Sequence, residues 1–471
     1  MSKYNILDTD NVGKLLLKLS VPAFIGMAVI TLYNVVDTIF VGHYVGKLGI
    51  AALSIVFPIQ MLSMGIGQMM GMGGASLISM AIGKKDIGNA ERVLGNTVIP
   101  TIVLSAVLMI FGLSNTGFWL KLIGASESVL PYASDYLRII LIGMFFQTFA
   151  MAFNFLVRAE GNIRVPMIGS IIGAVTNIIL DAIFIIPLNM GVAGAAWATI
   201  IAQFLSVLYF VHYYYTGRSF LKMSLKNLAI DWKIQGSILS IGISSFIMTM
   251  ASSICAIIIN RVLNQYGGDI AISAYGIINR IIMFALMPGI VIGQGLQPIL
   301  GFNYGARRYD RGVKVIKIAV VSATLCCVIA FVFLYAFTGF FVRIFNSDPE
   351  LVELTVYGAR LVFITLPIIG FIMVGSTMFQ ALGKPIQAFF SSVSRTVLFL
   401  LPAVLILPKY WQLDGIWLAF PITDAMTFLL VLCLFVPQIR ELQRLRERQG
   451  VNADTTPLRG RYVEGVGSDR K

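Results

Sequence analysis

Twelve apolar runs constrain this chain more than anything else in it: roughly 15–41, 50–82, 93–117, 133–157, 164–187, 191–215, 235–263, 270–298, 313–341, 355–380, 386–408 and 414–437. As an α-helix, each can cross a hydrocarbon layer of about 30 Å. A membrane β-barrel would show shorter, alternating segments instead. The expected fold is an all-α membrane protein with twelve transmembrane helices. Composition agrees, at 58% hydrophobic and 12% charged, where soluble domains carry about 25% charge. Residues 1–14 are polar and the first apolar run overshoots a signal-peptide core, so no cleaved leader is expected.

Charge placement adds orientation. The net charge of +13 does not point to nucleic acid, because the basic residues sit in alternate short loops. Lys84, Lys85 and Arg92 follow span 2, and Arg158 and Arg164 follow span 4. Arg218, Lys222, Lys226 and Lys233 join spans 6 and 7, and Arg307, Arg308, Arg311, Lys314 and Lys317 follow span 8. Lys384 follows span 10, and the tail beyond Gln438 is rich in arginine. The positive-inside rule then places both termini in the cytoplasm of a multi-pass cell-membrane protein. The four cysteines lie in apolar runs without metal spacing, so neither a disulfide framework nor a zinc site is indicated.

The chain repeats itself. Gly83-Lys84-Lys85-Asp86 is echoed by Gly305-Ala306-Arg307-Arg308, 222 residues on, and Arg158-Ala159-Glu160-Gly161 by Gln380-Ala381-Leu382-Gly383 at the same offset. Both halves start from the same side and hold six spans, which makes this a parallel repeat. It gives an N-terminal lobe over 1–215, a connector over 216–234, a C-terminal lobe over 235–440, and a basic tail over 441–471 expected to be disordered. Two six-helix bundles flanking a central cavity follow.

Within the spans, carboxylates are costly, on the order of 2.5–3.5 kcal/mol on insertion scales, and signal function. Asp37 and Asp181 are two such residues. Their repeat equivalents, Ile259 and Pro402 or Ala403, are not acidic. Structural acids have little reason to appear in one lobe only, whereas a coupling site does. Counting at about 1.5 Å per residue puts Asp37, Asp181 and Thr199 at a similar depth, roughly 9–12 Å below the external end. Asn177 shares a helix face with Asp181 at i, i+4. Two carboxylates, an amide and a hydroxyl at one depth could ligate a bare Na⁺, or they could hold a proton. The alternative is a structural pair satisfied by Asn and Thr.

Pro22, fifteen residues before Asp37, removes a backbone hydrogen bond, and either bends span 1 to move the acid or makes a static kink. The methionines of span 2, among them Met61 and Met64, suit either an adaptable cavity or ordinary membrane packing. Asp424 in span 12 reads as an inter-helix hydrogen-bonding position, with Arg280 and Arg395 as possible partners. His43 and His212 lie near loop ends, so an intramembrane histidine relay is not expected. No nucleophile–base set is present either, which argues against an enzyme.

Along nearly its whole length, excluding the tail after about residue 445, the chain resembles the multidrug and toxic compound extrusion (MATE) transporters. The features that carry this are SVPAFIG at the start of span 1, YNVVDTIFVG, the loop GKKDIGNAERV with its echo GARRYDRGVKV, NIILDAIFI, GVAGAAWAT and QALGKP. The resemblance implies two lobes forming a V around a central cavity. The implied activity is export of amphipathic, often cationic compounds in exchange for H⁺ or Na⁺, with no other cofactor, by a monomer embedded in membrane lipid. The branch it looks most like keeps its coupling acids in the N-terminal lobe. Asp37, Asn177, Asp181 and Thr199 match that branch's cation site, and Pro22 its bent first helix. Tyr33, Tyr136 and Asn154 match polar positions lining the same lobe, and Asn34 and the two methionines are grouped with them as cavity residues. Spans 7 and 10 lack the acids used by the other branch. The rival reading is a lipid-linked oligosaccharide flippase of related fold, which predicts cavity arginines and lysines that the first lobe scarcely offers.

Overall fold

The computed structural model describes residues 7–8, 11–45, 47–123, 126–219, 221–346 and 348–454. They are almost entirely helical. We number the membrane-crossing helices α1 (Val12–Tyr44), α2 (Lys47–Gly83), α3 (Ile87–Ser114), α4 (Leu130–Ala159), α5 (Arg164–Ile185) and α6 (Gly191–Tyr215). Next comes a helical stretch of 74 residues, Trp232–Gly305, about 110 Å long at 1.5 Å per residue and far too long for one crossing. Gly268 divides it, at φ 61° and ψ −161°, giving α7 (232–267) and α8 (269–305). The chain continues as α9 (Tyr309–Ala336), α10 (Pro349–Phe363 and Leu366–Ala381, bent by 51°), α11 (385–406) and α12 (Pro408–Asp454, kinked near its start by non-helical backbone at Trp411 and Gln412). The twelve spans are thus those read from the sequence, with two differences. Span 10 is broken by the bend between its two pieces. The last helix runs to Asp454 rather than giving way to disorder at 441, while 455–471 of the tail lie outside the described residues.

The repeat reappears in the backbone. Lys85 (φ 62°) and Arg307 (φ 58°) occupy the left-handed region at equivalent helix ends, as do Gly161 (φ 81°) and Gly383 (φ 65°). At the first pair the amides of Asp86 and Arg308 reach back to the carbonyls of Ala81 and Asn303, a C-terminal cap that satisfies otherwise orphaned carbonyls. Short helices Thr116–Ile123 and Thr338–Phe345 also sit 222 residues apart; the apolar pattern takes their first residues into the ends of spans 3 and 9.

Three hydrophobic cores explain the shape. One joins both lobes at the end bearing the basic loops, gathering Leu16, Met70, Ile78 and Leu156 with Ile238, Leu296, Ile316 and Phe379. At the other end the lobes have separate cores. Val41, Tyr136, Leu141 and Ile185 form the N-lobe core, and Ile259, Ile278, Phe363 and Trp417 the C-lobe core. The lobes therefore meet at one end and part toward the other. Close backbone approach makes the joint: a Cβ built at Gly83 would run into the Phe302 carbonyl, and one at its repeat mate Gly305 into that of Met80. Ser76 adds a hydroxyl-to-carbonyl bond to Gln380 across the joint (2.5 Å), Arg158 donates to Gln294, and Asp8 pairs with Arg308 and, at 3.8 Å, with Arg311. The connector is held too. The Asp231 amide donates to Asn96 (2.7 Å) and Lys222's to Glu91 (3.0 Å), so this segment lies along α3.

Candidate cation site

Four helices of the N-lobe bring the predicted polar residues together at the open end. α1 carries Tyr33, Asn34 and Asp37; α4 carries Tyr136; α5 carries Asn177 and Asp181; α6 carries Thr199. Asp181 and Asn177 are 0% and 1% exposed, and they share a face because four residues is close to one helical turn. Gly173, one turn before Asn177 on α5, packs its backbone on Ser206 of α6. This brings Asn177 and Thr199 within reach, and the Asn177 amide donates to the Thr199 hydroxyl at 3.3 Å. Asp37 is half-buried, and its carboxyl faces that of Asp181 closely enough for the two to interact directly.

The hydrogen-bond inventory of this group is one-sided. Both carboxylate oxygens of Asp181, the Oδ1 of Asp37 and the Oδ1 of Asn177 are buried without a hydrogen-bond donor. Each orphaned acceptor costs about 1–3 kcal/mol, more where it is charged. Four buried acceptors converge with a hydroxyl and no cationic side chain. Such a set suits a hard cation that takes oxygen ligands, or a proton shared by the carboxyls. The donors are oxygens only; among the described residues no group of three or more His, Cys, Asp or Glu side chains forms a transition-metal cluster.

Tyr33 and Tyr136 lie close enough to both carboxylates to feel their charge, with Tyr33 against Asn34 and Tyr136 against Gln60 of α2. Gln60 did not figure in the sequence reading. Its signal was there, an amide in the apolar stretch FPIQM of span 2, but only the fold shows that it reaches Tyr136. Met61 and Met64 are half-buried on α2 just beyond Gln60. Asn154 is not in the group: it lies eighteen residues beyond Tyr136 on α4, roughly 27 Å along the helix. Pro22 sits inside an α1 that stays helical throughout, so the kink expected there takes the form of a missing amide and not of a break.

The C-lobe has a different polar cluster. Asp424 of α12 is buried and accepts from Nε of Arg395 on α11 (2.6 Å) and from the Thr365 hydroxyl at the α10 bend (2.7 Å). Arg395 lies in a π-helical turn over Ser394–Leu400, a widening that often marks functional positions. Arg280, the other candidate partner, is exposed and elsewhere.

Known proteins resemble this chain along most of its length. The MatE family model matches twice, over residues 22–183 and 243–405, once in each lobe. The Multidrug export protein MepA of Staphylococcus haemolyticus is 26% identical over 411 residues, covering 87% of this chain and 90% of that protein. Among solved structures, an outward-facing multidrug resistance MATE family transporter of the MOP superfamily superposes with a TM-score of 0.88 at 25% identity, covering 94% of this chain and 99% of that one. A MATE protein solved in straight and in bent conformations matches with the same score, identity and coverage.

Proposed function

The chain belongs to the MATE family of transporters, and from that premise we propose that it exports amphipathic, often cationic compounds across the cell membrane in exchange for H⁺ or Na⁺. The observation that carries this reading is the set of four buried oxygen acceptors at Asp37, Asn177 and Asp181 with no donor among them. A site built this way is stable only when a cation or a proton occupies it, so its occupancy is a ready lever for conformational change. The kinship with a multidrug export protein supports the choice of cargo.

In the proposed cycle the basic loops face the cytoplasm, so the joined end is the inner one and the structure is open outward. A cation arriving from outside neutralises Asp37 and Asp181. This removes their repulsion and lets α1, free of one backbone bond at Pro22, repack against α5. Tyr33, Asn34, Tyr136 and Gln60 border the space that this movement changes, and cargo held there by its positive charge loses the carboxylates as partners. Cation and cargo thus compete for one lobe, and the coupling is reciprocal. Parting of the joined end then admits the cation to the cytoplasm and fresh cargo to the lobe.

The test is transport by the full-length protein in proteoliposomes with proton and sodium gradients imposed separately. Efflux driven by at least one gradient, and lost in Asp37→Asn and Asp181→Asn at equal protein content, is the expected result. Undiminished gradient-driven export by both variants sinks the proposal.

A further inference from the structure

A cavity of about 780 Å³ lies far from the acids, between the end of α9, the short helix Thr338–Phe345 and the first piece of α10. Such a volume is in the range of specific small-molecule sites. Its walls include Tyr335, Gly339, Arg343, Glu353, Tyr357 and Arg360. The short helix sits where α9 leaves the membrane, at the end opposite the basic loops, and presents large apolar side chains outward: Phe340 is 65% and Ile344 63% exposed. An amphipathic helix of this kind lies in the interfacial layer with its apolar face in the acyl region.

Two exposed arginines stand at this level. Among the described residues neither Arg343 nor Arg360 has a carboxylate within ion-pair range, although Glu353 lines the same cavity. Arg360 rests instead over the Tyr335 ring, 5.7 Å from its centre. The repeat sharpens the point. Arg343 corresponds to Lys121, which is paired with Glu127 at 3.7 Å; the equivalent of Glu127 in the C-lobe is Pro349, which has no charge to offer. The cavity floor is also clear at Gly339, where an added Cβ would meet nothing within 4 Å. A cavity open to the acyl layer, with two uncompensated guanidinium groups at headgroup level, has the chemistry of a phosphate-bearing lipid site.

We propose that this cavity binds an anionic phospholipid, with the phosphate on Arg343 and Arg360 and an acyl chain along the apolar wall formed by Val352, Val356 and Ile364. The site belongs to the C-lobe alone and is independent of the cation site.

Native mass spectrometry on the full-length protein, offered phosphatidylglycerol and phosphatidylcholine of matched chains, tests this. Retention of phosphatidylglycerol over phosphatidylcholine is expected by about fivefold per arginine. The double variant Arg343→Gln/Arg360→Gln should bring the two lipids near parity, and the single Arg343→Gln should lose about half of the preference on a logarithmic scale. Gly339→Leu, which projects into the cavity, should cut retention of the tightly held lipid. Lys121→Gln/Arg138→Gln in the N-lobe should leave the preference intact. Equal retention of both lipids by the unaltered protein overturns the proposal, and so does a preference that survives both the arginine and glycine variants. Displacement of the lipid by inorganic phosphate at low millimolar concentration identifies a free-anion site and equally rejects a lipid one.

Discussion

The two lobes are built on the same six helices, yet their buried acids live in opposite circumstances. In the C-lobe, Asp424 has both oxygens occupied, by Arg395 and Thr365. In the N-lobe, Asp181 has neither oxygen hydrogen-bonded and Asp37 stands beside it. Removing a charge from water costs several kcal/mol, and a hydrogen-bonded counter-charge offsets that cost. The C-lobe carries its counter-charge covalently, as a guanidinium. The N-lobe acids have no such side chain beside them, and in the proposed cycle their counter-charge comes from solution. One scaffold therefore holds a fixed ion pair on one side and, on the proposed reading, an exchangeable one on the other. Even the positions differ: the repeat mates of Arg395, Asp424 and Thr365 are Gly173, Ala202 and Gly143, where α4, α5 and α6 pack closely.

The contrast breaks most visibly by taking the partner from the paired acid. Arg395→Met should destabilise the protein by about 3–5 kcal/mol, since it strands a buried carboxylate, and adding Asp424→Leu should restore most of that. Unfolding in mixed micelles measures both. A harmless Arg395→Met would mean that Asp424 is not held as a charged pair. The matching change in the N-lobe should have the opposite sign. Asp37→Asn and Asp181→Asn relieve an uncompensated site, so stability should hold or rise while gradient-driven efflux falls about 100-fold, equivalent to ~2.7 kcal/mol. A third variant makes the N-lobe resemble the C-lobe: Thr199→Lys supplies an internal ammonium beside Asn177 and Asp181. Cargo export by this variant should lose about tenfold of its response to either gradient, or ~1.4 kcal/mol. Undiminished gradient dependence in the flux assay would mean that the cation is not bound at this point.

Smaller effects test whether the lobes are equivalent where they ought to be. Gly83→Ala and Gly305→Ala push equivalent backbones apart at the joined end, and each should cost about 1–3 kcal/mol, with the two values close to one another. Thermal midpoints in detergent compare them, and a large inequality would show that the joint is not symmetric. Smallest of all, Lys85→Gly and Arg307→Gly place glycine where the backbone is left-handed, and each should stabilise by about 1 kcal/mol.

Much of this was legible in the residues before any coordinates. Run length gave twelve crossings because a bilayer fixes how long an apolar helix must be. The 222-residue echo gave the two lobes, and it recurs in the paired left-handed residues. Asp37 and Asp181 were conspicuous because a carboxylate in a lipid-spanning helix is costly anywhere, and Asn177 followed from helical periodicity. Other features were out of reach. Gln60 looks like any polar residue in span 2 until the fold sets it against Tyr136 on a helix seventy-odd residues away. Asp424 named its own need for a partner, but choosing Arg395 over Arg280 took the packing of α11 on α12.

The sequence by itself determined what is local or periodic: the helices, their number, their repeat and the cost of each buried charge. Only the tertiary structure decided which charges are answered. Whether a carboxylate is paired depends on side chains brought together across helices far apart in the chain, and no spacing along one helix encodes that. The same holds for the joint between the lobes, where backbone meets backbone at Gly83 and Gly305. It holds again for the cavity under the short helix, whose two arginines lie seventeen residues apart on different elements and share one space only because the chain turns between them.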